Sequence, residues 1–172
     1  AAARAWGVER STVEAKLGTL TSGTHNGTYA EFATAAAAIT LPDIRWQMCD
    51  IKAITLLPNV LLRQEALDKG AAEAILLRDG YLTEGSASSV IIVEHGALIR
   101  RPAGPEILPG TTTDAVFAAA ASVGITCRDE MISEQRLRQA DEIWVAAATR
   151  GITPVLELDG KKIGDGCPGP VW

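Results

Sequence analysis

The chain has 172 residues, 47% of them hydrophobic and 22% charged, enough for one domain with a real core or two small ones. A net charge of −5 and a pI near 5.1, without a basic stripe, argue against nucleic acid as the main partner. No apolar run reaches the ~20 residues of a membrane helix, and residues 1–10 lack the apolar core of a secretory signal.

Residues 1–38 read differently from the rest. Alanine runs open and close the segment, and Ser22-Gly23-Thr24-His25-Asn26-Gly27-Thr28 is turn chemistry without apolar periodicity. Ser11 and Glu14 have capping-box spacing for a short helix over 12–17, with Gly18 as its stop. The segment as a whole is expected to be flexible or partly extended, a remnant rather than a domain.

From Ile39 the pattern changes. A strand is expected over 39–47, then a helix over 59–69 with Pro58 at its first position and Gly70 after its end. Short strands follow over 73–77 and 81–83, joined by Asp79-Gly80, then over 89–93 and 97–100, joined by His95-Gly96. Residues 102–110 form a loop with Pro102, Pro105 and Pro109. Thr111-Thr112-Thr113-Asp114 opens an alanine-rich helix over 115–123, stopped by Gly124. A strand over 125–128, a helix over 134–140 capped by Ser133, a strand over 142–148 and a final hairpin from 155 complete the chain. Strands in hairpins with interspersed helices read as α+β, mainly antiparallel, with residues 73–100 as a meander.

Three stretches have the residues for chemistry. Lys52, in Asp50-Ile51-Lys52-Ala53-Ile54, reads either as a lysine that snorkels from a strand end or as an amine held in an apolar wall and freed as a nucleophile. Glu84, in Thr83-Glu84-Gly85-Ser86, reads either as a solvated turn residue or as a carboxylate that pairs with a protonated ring nitrogen. Gly110-Thr111-Thr112-Thr113 reads either as an ordinary helix cap or as an anion cradle of amides, hydroxyls and helix dipole. Thr149, after the small residues Ala146-Ala147-Ala148, lies at a strand exit that would also suit a pocket mouth. Cys49, Cys127 and Cys167 fit no disulfide or zinc spacing and read as free thiols in a reducing cytoplasm. Two histidines are too few and too scattered for a metal cluster.

Taken in order, Asp43-Ile44-Arg45-Trp46, Cys49-Asp50-Ile51-Lys52, Leu56-Leu57-Pro58-Asn59-Val60, Gln64-Glu65-Ala66, Glu73-Ala74-Ile75-Leu76, Thr83-Glu84-Gly85-Ser86, Ile107-Leu108-Pro109-Gly110, Ala140-Asp141-Glu142 and Thr153-Pro154-Val155 carry a resemblance. The chain resembles the pyridoxal-phosphate enzymes of fold type IV, the D-amino acid and branched-chain aminotransferase family, and most of all the D-amino acid branch. The resemblance covers residues 41–171. It implies a barrel-like, mainly antiparallel large domain with peripheral helices over 39–172, working as a homodimer. It implies pyridoxal 5'-phosphate bound through a Schiff base to Lys52, which also shuttles the proton. By the same resemblance Glu84 pairs with the pyridine nitrogen, Arg45 stands near the phenolic oxygen, Ser88 lies beside the ring, and Thr111 and Thr112 hold the phosphate. The substrates implied are an amino acid, by resemblance a D-amino acid, and a 2-oxo acid.

The departures are specific. Residues 1–38 do not match the family's small domain, and the chain ends at Trp172, before the family's usual tail, so the large domain is expected to be cut short there. Ala148 stands where a phosphate-holding threonine is usual, and Ala87 and Ser89 vary the serine–asparagine pattern. A lyase of the same fold, such as an aminodeoxychorismate lyase, and a catalytically incompetent cofactor-binding or partner-binding domain stand as the alternatives.

Overall fold

The structure, a computed structural model, describes residues 7–16, 19–28 and 36–172. Its contacts fall into two units, Ala1–Thr34 with Trp172, and Ala35–Val171. In the first, a 3-10 turn (Arg10–Thr12) leads into β1 (Glu14–Lys16), β2 (Thr19–Ser22) and β3 (His25–Thr28), paired as an antiparallel sheet in that order. Gly23, at φ +59, makes the β2–β3 turn. The helix expected over 12–17 is absent from 12–16. The Thr12 hydroxyl donates to the Glu9 carbonyl at 2.8 Å, and Glu14 then pairs with Thr21. A lone Ser/Glu spacing without an apolar stripe loses to strand pairing. Residues 1–3, 17 and 18 of that reading lie outside the described residues.

In the second unit the hairpins follow from local turn chemistry. Asp79-Gly80, His95-Gly96 and Asp159-Gly160 all take positive φ at both positions, the twist that a two-residue hairpin requires. They join β5 (Glu73–Arg78) to β6 (Tyr81–Gly85), β7 (Ser89–Glu94) to β8 (Ala97–Arg100), and β11 (Gly151–Leu158) to β12 (Lys161–Lys162). With β4 (Ala36–Pro42), β9 (Cys127–Asp129) and β10 (Glu142–Ala147), these strands form one sheet in the order β6-β5-β4-β11-β10-β7-β8-β9, with β12 on β11.

Two expectations are corrected. The first strand runs over 36–42 instead of 39–47. It ends at Pro42, beyond which the chain turns to place the Asp43 side chain on Arg45. Its alanines lie between β5 and β11, parallel to both. The meander also breaks between β6 and β7. The Gly85 amide donates to Ser88 O at 2.7 Å and the Ser86 amide to Ala74 O at 2.9 Å, so the chain turns away instead of pairing β6 with β7. Most ladders are antiparallel, as expected, but β4–β5, β4–β11 and β8–β9 are parallel.

The sheet curls until its two ends are tied. The Glu130 amide donates to Arg100 O at 2.9 Å, the Leu82 amide to Ile132 O at 2.8 Å and the Glu134 amide to Gly80 O at 2.9 Å. The chain leaving β9 thereby bonds to β6 at the far edge. The enclosed face carries Ile75, Leu82, Val90, Ile92, Ile99, Ile143 and Val145. Each such side chain contributes about 1.5–3 kcal/mol by leaving water. α1 (Leu57–Asp68) covers the outer face of β4 and β5 through Leu62 and Ala66. α2 (Thr111–Ser122) buries Phe117 and Ala120, and α3 (Glu134–Gln139) inserts Leu137 into the enclosed core. Ser133 caps α3 as expected, accepting from the Arg136 amide at 3.2 Å. α2 starts four residues earlier than the reading placed it, because the threonines form its first turn instead of preceding it.

Candidate active site

One end of the curled sheet gathers the ends of six strands: the starts of β4, β5, β7 and β11 and the last residues of β6 and β10. The strand directions in these pairings put all six ends on the same side of the sheet, with Ala147 opposite Gly151, Ala146 opposite Ser89 and Ala38 beside Glu73. Residues 43–56 run along the β6 edge towards this end. The Asp43 amide donates to Leu77 O at 2.8 Å, and Asn59 Nδ2, just inside α1, donates to Ser86 O at 2.9 Å.

This path opens a cleft lined by Arg45, Trp46, Lys52, Asn59, Glu84 and Leu108, with Cys49 in its wall. Lys52 is exposed. Among the described residues no ion pair or hydrogen bond engages its ammonium. The apolar wall expected around it is open: Ile51 is 48% and Ile54 99% exposed. Burial pushes the Cys49 thiol up, and its sulfur donates to Trp46 O at 3.1 Å, so it stays a neutral thiol.

Glu84 is buried and its carboxylate is held at both oxygens. Arg45 donates to Oε1, and the Leu108 amide donates to Oε2 at 3.1 Å. Burial raises its pKa above the usual carboxylate value, against the opposing pull of the Arg45 charge and hydrogen bond. Arg45 is committed as well. Its Nε and one terminal nitrogen grip the two oxygens of Asp43 at 2.9 and 2.8 Å, and the same nitrogen donates to Glu106 O at 3.0 Å. Burial would lower the Arg45 pKa, but Asp43 and Glu84 raise it. Asp43 has no exposed side-chain surface. It accepts from Thr83 Oγ1 at 2.7 Å and lies 3.2 Å from Arg78. Its burial would raise its pKa, and the bonds from Arg45 and Thr83 outweigh this and hold it low. The Arg45 guanidinium thus lines the cleft while bonded to Glu84 Oε1.

The other expected site residues do not line this cleft. Ser88 turns inward and donates its hydroxyl to Glu73 Oε2 at 2.9 Å. Thr111 is exposed and Thr112 half-buried in the first turn of α2. No side chain caps that helix, whose N-cap is the extended Gly110, so its first amides point outward as donors. Thr149 is exposed in the turn between β10 and β11. A second cleft shares Glu84 and Leu108 with the first and includes Ser89, Gly110 and Thr113. The buried Thr113 hydroxyl has no partner among the described residues.

Sequence reasoning gave no role to Asp43, Asn59, Glu73 or Leu108. Asp43 was the legible one, since residues i and i+2 of an extended chain lie on one side and Asp43-Ile44-Arg45 has that spacing.

The amino-transferase class IV family model matches residues 8–158. The chain is 38% identical over 135 residues to a D-alanine aminotransferase from Bacillus licheniformis, covering 78% of this chain and 48% of that enzyme. It is 36% identical over 143 residues to the D-alanine aminotransferase of Staphylococcus haemolyticus, covering 83% and 51%. The fold is similar to the branched-chain amino acid aminotransferase of Escherichia coli, with a TM-score of 0.70, 31% identity, and coverage of 79% of this chain and 47% of that one. It is similar also to a hypothetical aminotransferase from Mycobacterium tuberculosis in its α-ketoglutarate and PMP bound form, with a TM-score of 0.74, 26% identity, and coverage of 80% and 51%. The chain spans about half the length of the curated relatives it matches.

Proposed function

The chain belongs to the class IV aminotransferases, and from that premise we propose that it is a pyridoxal-phosphate-dependent aminotransferase moving an amino group between an amino acid and a 2-oxo acid. The D-alanine aminotransferases among its relatives support a D-amino acid as donor. The observation that carries the reading is the meeting of Lys52 and Glu84 in one cleft. Free thiols at Cys49, Cys127 and Cys167 suit a cytoplasmic enzyme.

The residues present fit pyridoxal phosphate. A lysine amine without an ionic partner among the described residues, a buried carboxylate held at fixed orientation and an uncapped twelve-residue helix start form a complementary donor and acceptor set. Lys52 Nζ would hold the cofactor covalently and, once released, take and return the substrate proton. Glu84 would accept a hydrogen bond from the pyridinium nitrogen, with Arg45 and the Leu108 amide fixing the angle of its carboxylate. The amides of Thr111 and Thr112 would hold the phosphate with the helix dipole behind them. When bound, pyridoxal phosphate supplies a conjugated ring that draws electrons from the bonds at the substrate's α-carbon. The sheet unit from Ala36 onward carries these residues. A homodimer is part of the reading, because the segment that bears Lys52 exposes a run of large apolar side chains.

Borohydride reduction of the cofactor-loaded protein followed by peptide mapping tests the assignment. The pyridoxyl group is expected on Lys52. Label on Lys69 or Lys161 instead would overturn it.

A further inference from the structure

Glu73 opens β5 with a carboxylate that has no exposed side-chain surface. A buried charge costs several kcal/mol unless it is fully paired, and an apolar residue of similar size often does as well or better for stability. Here the pairing is complete and comes from four places. The Ser86 hydroxyl and the Ala74 amide donate to Oε1. The Ser88 hydroxyl at 2.9 Å, Arg150 at 2.9 Å and Arg63 at 3.3 Å donate to Oε2. Such a carboxylate has about four lone-pair sites, so these five donors saturate it.

The donors also have a pattern. Ser86 and Ser88 form the turn that begins just after Glu84. Arg150 directly follows Thr149 in the turn between β10 and β11. Arg63 belongs to α1 and lies in neither turn; its helix is bonded to the Ser86–Ser88 turn through Asn59 but not to the Thr149–Arg150 turn. The turn between β6 and β7 and the turn between β10 and β11 meet through this one carboxylate. The link from Arg150 to Glu73 spans 77 positions in sequence.

We propose that Glu73 is a positioning residue that locks the Ser86–Ser88 turn, which follows Glu84, to the Thr149–Arg150 turn at the same end of the sheet, so that the end of β6 bearing Glu84 keeps a fixed place relative to that turn. The inference rests on the function proposed above. The Glu73 side chain has no surface exposed to a ligand. It acts through the serines on one side and through Arg150 on the other.

The three guanidinium and carboxylate partners allow a test that separates positioning from stability. Arg63→Met and Arg150→Met each remove one ion pair to the same oxygen, but only Arg150 leads to the Thr149 turn. Pyridoxal phosphate affinity is read by titrating the visible absorbance of the bound cofactor, and stability by thermal unfolding of the same proteins. Arg150→Met is expected to weaken the cofactor about tenfold, a usual size for coupled sites. Arg63→Met is expected to lower the melting temperature and leave affinity within about twofold of the unaltered protein. Glu73→Gln combined with Arg150→Met should bind no more weakly than Glu73→Gln alone, since both act through one link. If Glu73→Gln does not fold, the comparison of the two arginine variants still decides. Equal weakening by Arg63→Met and Arg150→Met, or normal affinity in Arg150→Met, overturns the link while leaving the proposed function standing. Absence of cofactor absorbance in the unaltered protein overturns the function and the link together.

Discussion

The Leu108 amide donates to Glu84 Oε2 at 3.1 Å while Arg45 occupies Oε1, so the carboxylate at the cleft wall cannot rotate freely. Burial nevertheless raises its pKa, against the opposing pull of the Arg45 charge and hydrogen bond. Glu84→Gln keeps the shape but offers one accepting oxygen to the two donors Arg45 and Leu108, and it cannot hold a ring nitrogen protonated. The expected outcome is turnover lower by roughly a hundredfold or more, with cofactor affinity changed far less. Half-reaction rates measured by stopped flow, beside a cofactor titration, check both. A normal half-reaction rate in Glu84→Gln would remove this role.

Asp43 is the anchor for that arrangement. Asp43→Asn replaces one accepting oxygen by an NH2 group that faces the Arg45 donors, and leaves a buried cation underpaired. A loss of about 3 kcal/mol in folding stability is expected near neutral pH. The sign with pH follows from the lowered pKa of Asp43 in the fold. Its contribution is fully present above the unfolded value, close to 3.8, and is lost as pH falls through the lower folded value. Melting temperatures of both proteins should therefore differ most at neutral pH and converge below the ordinary carboxylate range. A gap that stays constant down to low pH would contradict the assignment.

What the sequence made legible was local. The three Asp-Gly and His-Gly turns name their own hairpins, because positive φ at two successive positions is a demand few dipeptides meet. Ser133 announced α3 through cap chemistry, its hydroxyl accepting from the Arg136 amide. Pairings between distant segments were not legible. Nothing in the alanines of β4 tells that the strand lies parallel between β5 and β11, since each pairing depends on where a crossover returns. The site divides in the same way. Arg45, Lys52 and Glu84 share the cleft, while Ser88 turns away because a buried Glu73 outbids the cleft for its hydroxyl. An acid at a strand start reads as a solvated edge residue, and only the curl of the sheet buries it.

Gly85 is required by space and not by φ. A Cβ built there would lie 2.2 Å from Ser88 Oγ and 2.9 Å from Ser88 O. Gly85→Ala must push the turn outward, breaking the Gly85 to Ser88 bond and disturbing both serine contacts to Glu73. A destabilisation of about 1–3 kcal/mol is expected, measured by denaturant unfolding. An unchanged midpoint would mean that the turn has slack the structure does not reveal.

Thr112 tests the phosphate cradle. If backbone amides at the start of α2 do most of the holding, Thr112→Val should weaken pyridoxal phosphate by only about 1 kcal/mol, one neutral hydrogen bond. Loss of all measurable binding in an equilibrium titration would assign the phosphate to the hydroxyl instead.

The last expectation concerns assembly. Trp46, Met48, Ile51, Ile54, Leu56, Leu57 and Val60 are between 45% and 99% exposed along one stretch of chain that carries Lys52. Scattered exposed apolar residues are ordinary, but a contiguous run of this size around Lys52 is the mark of a covered face. A second copy of the chain would close such a face with twofold symmetry, each copy covering the other's equivalent patch. Covering it would also supply what the cleft lacks, an apolar wall near Lys52. The protein is therefore expected to sediment as a dimer at micromolar concentration with cofactor bound. Ile54→Asp, which places a charge at the most exposed apolar position, should shift it towards monomer. A cofactor-bound monomer in the unaltered protein under those conditions would refute the homodimer.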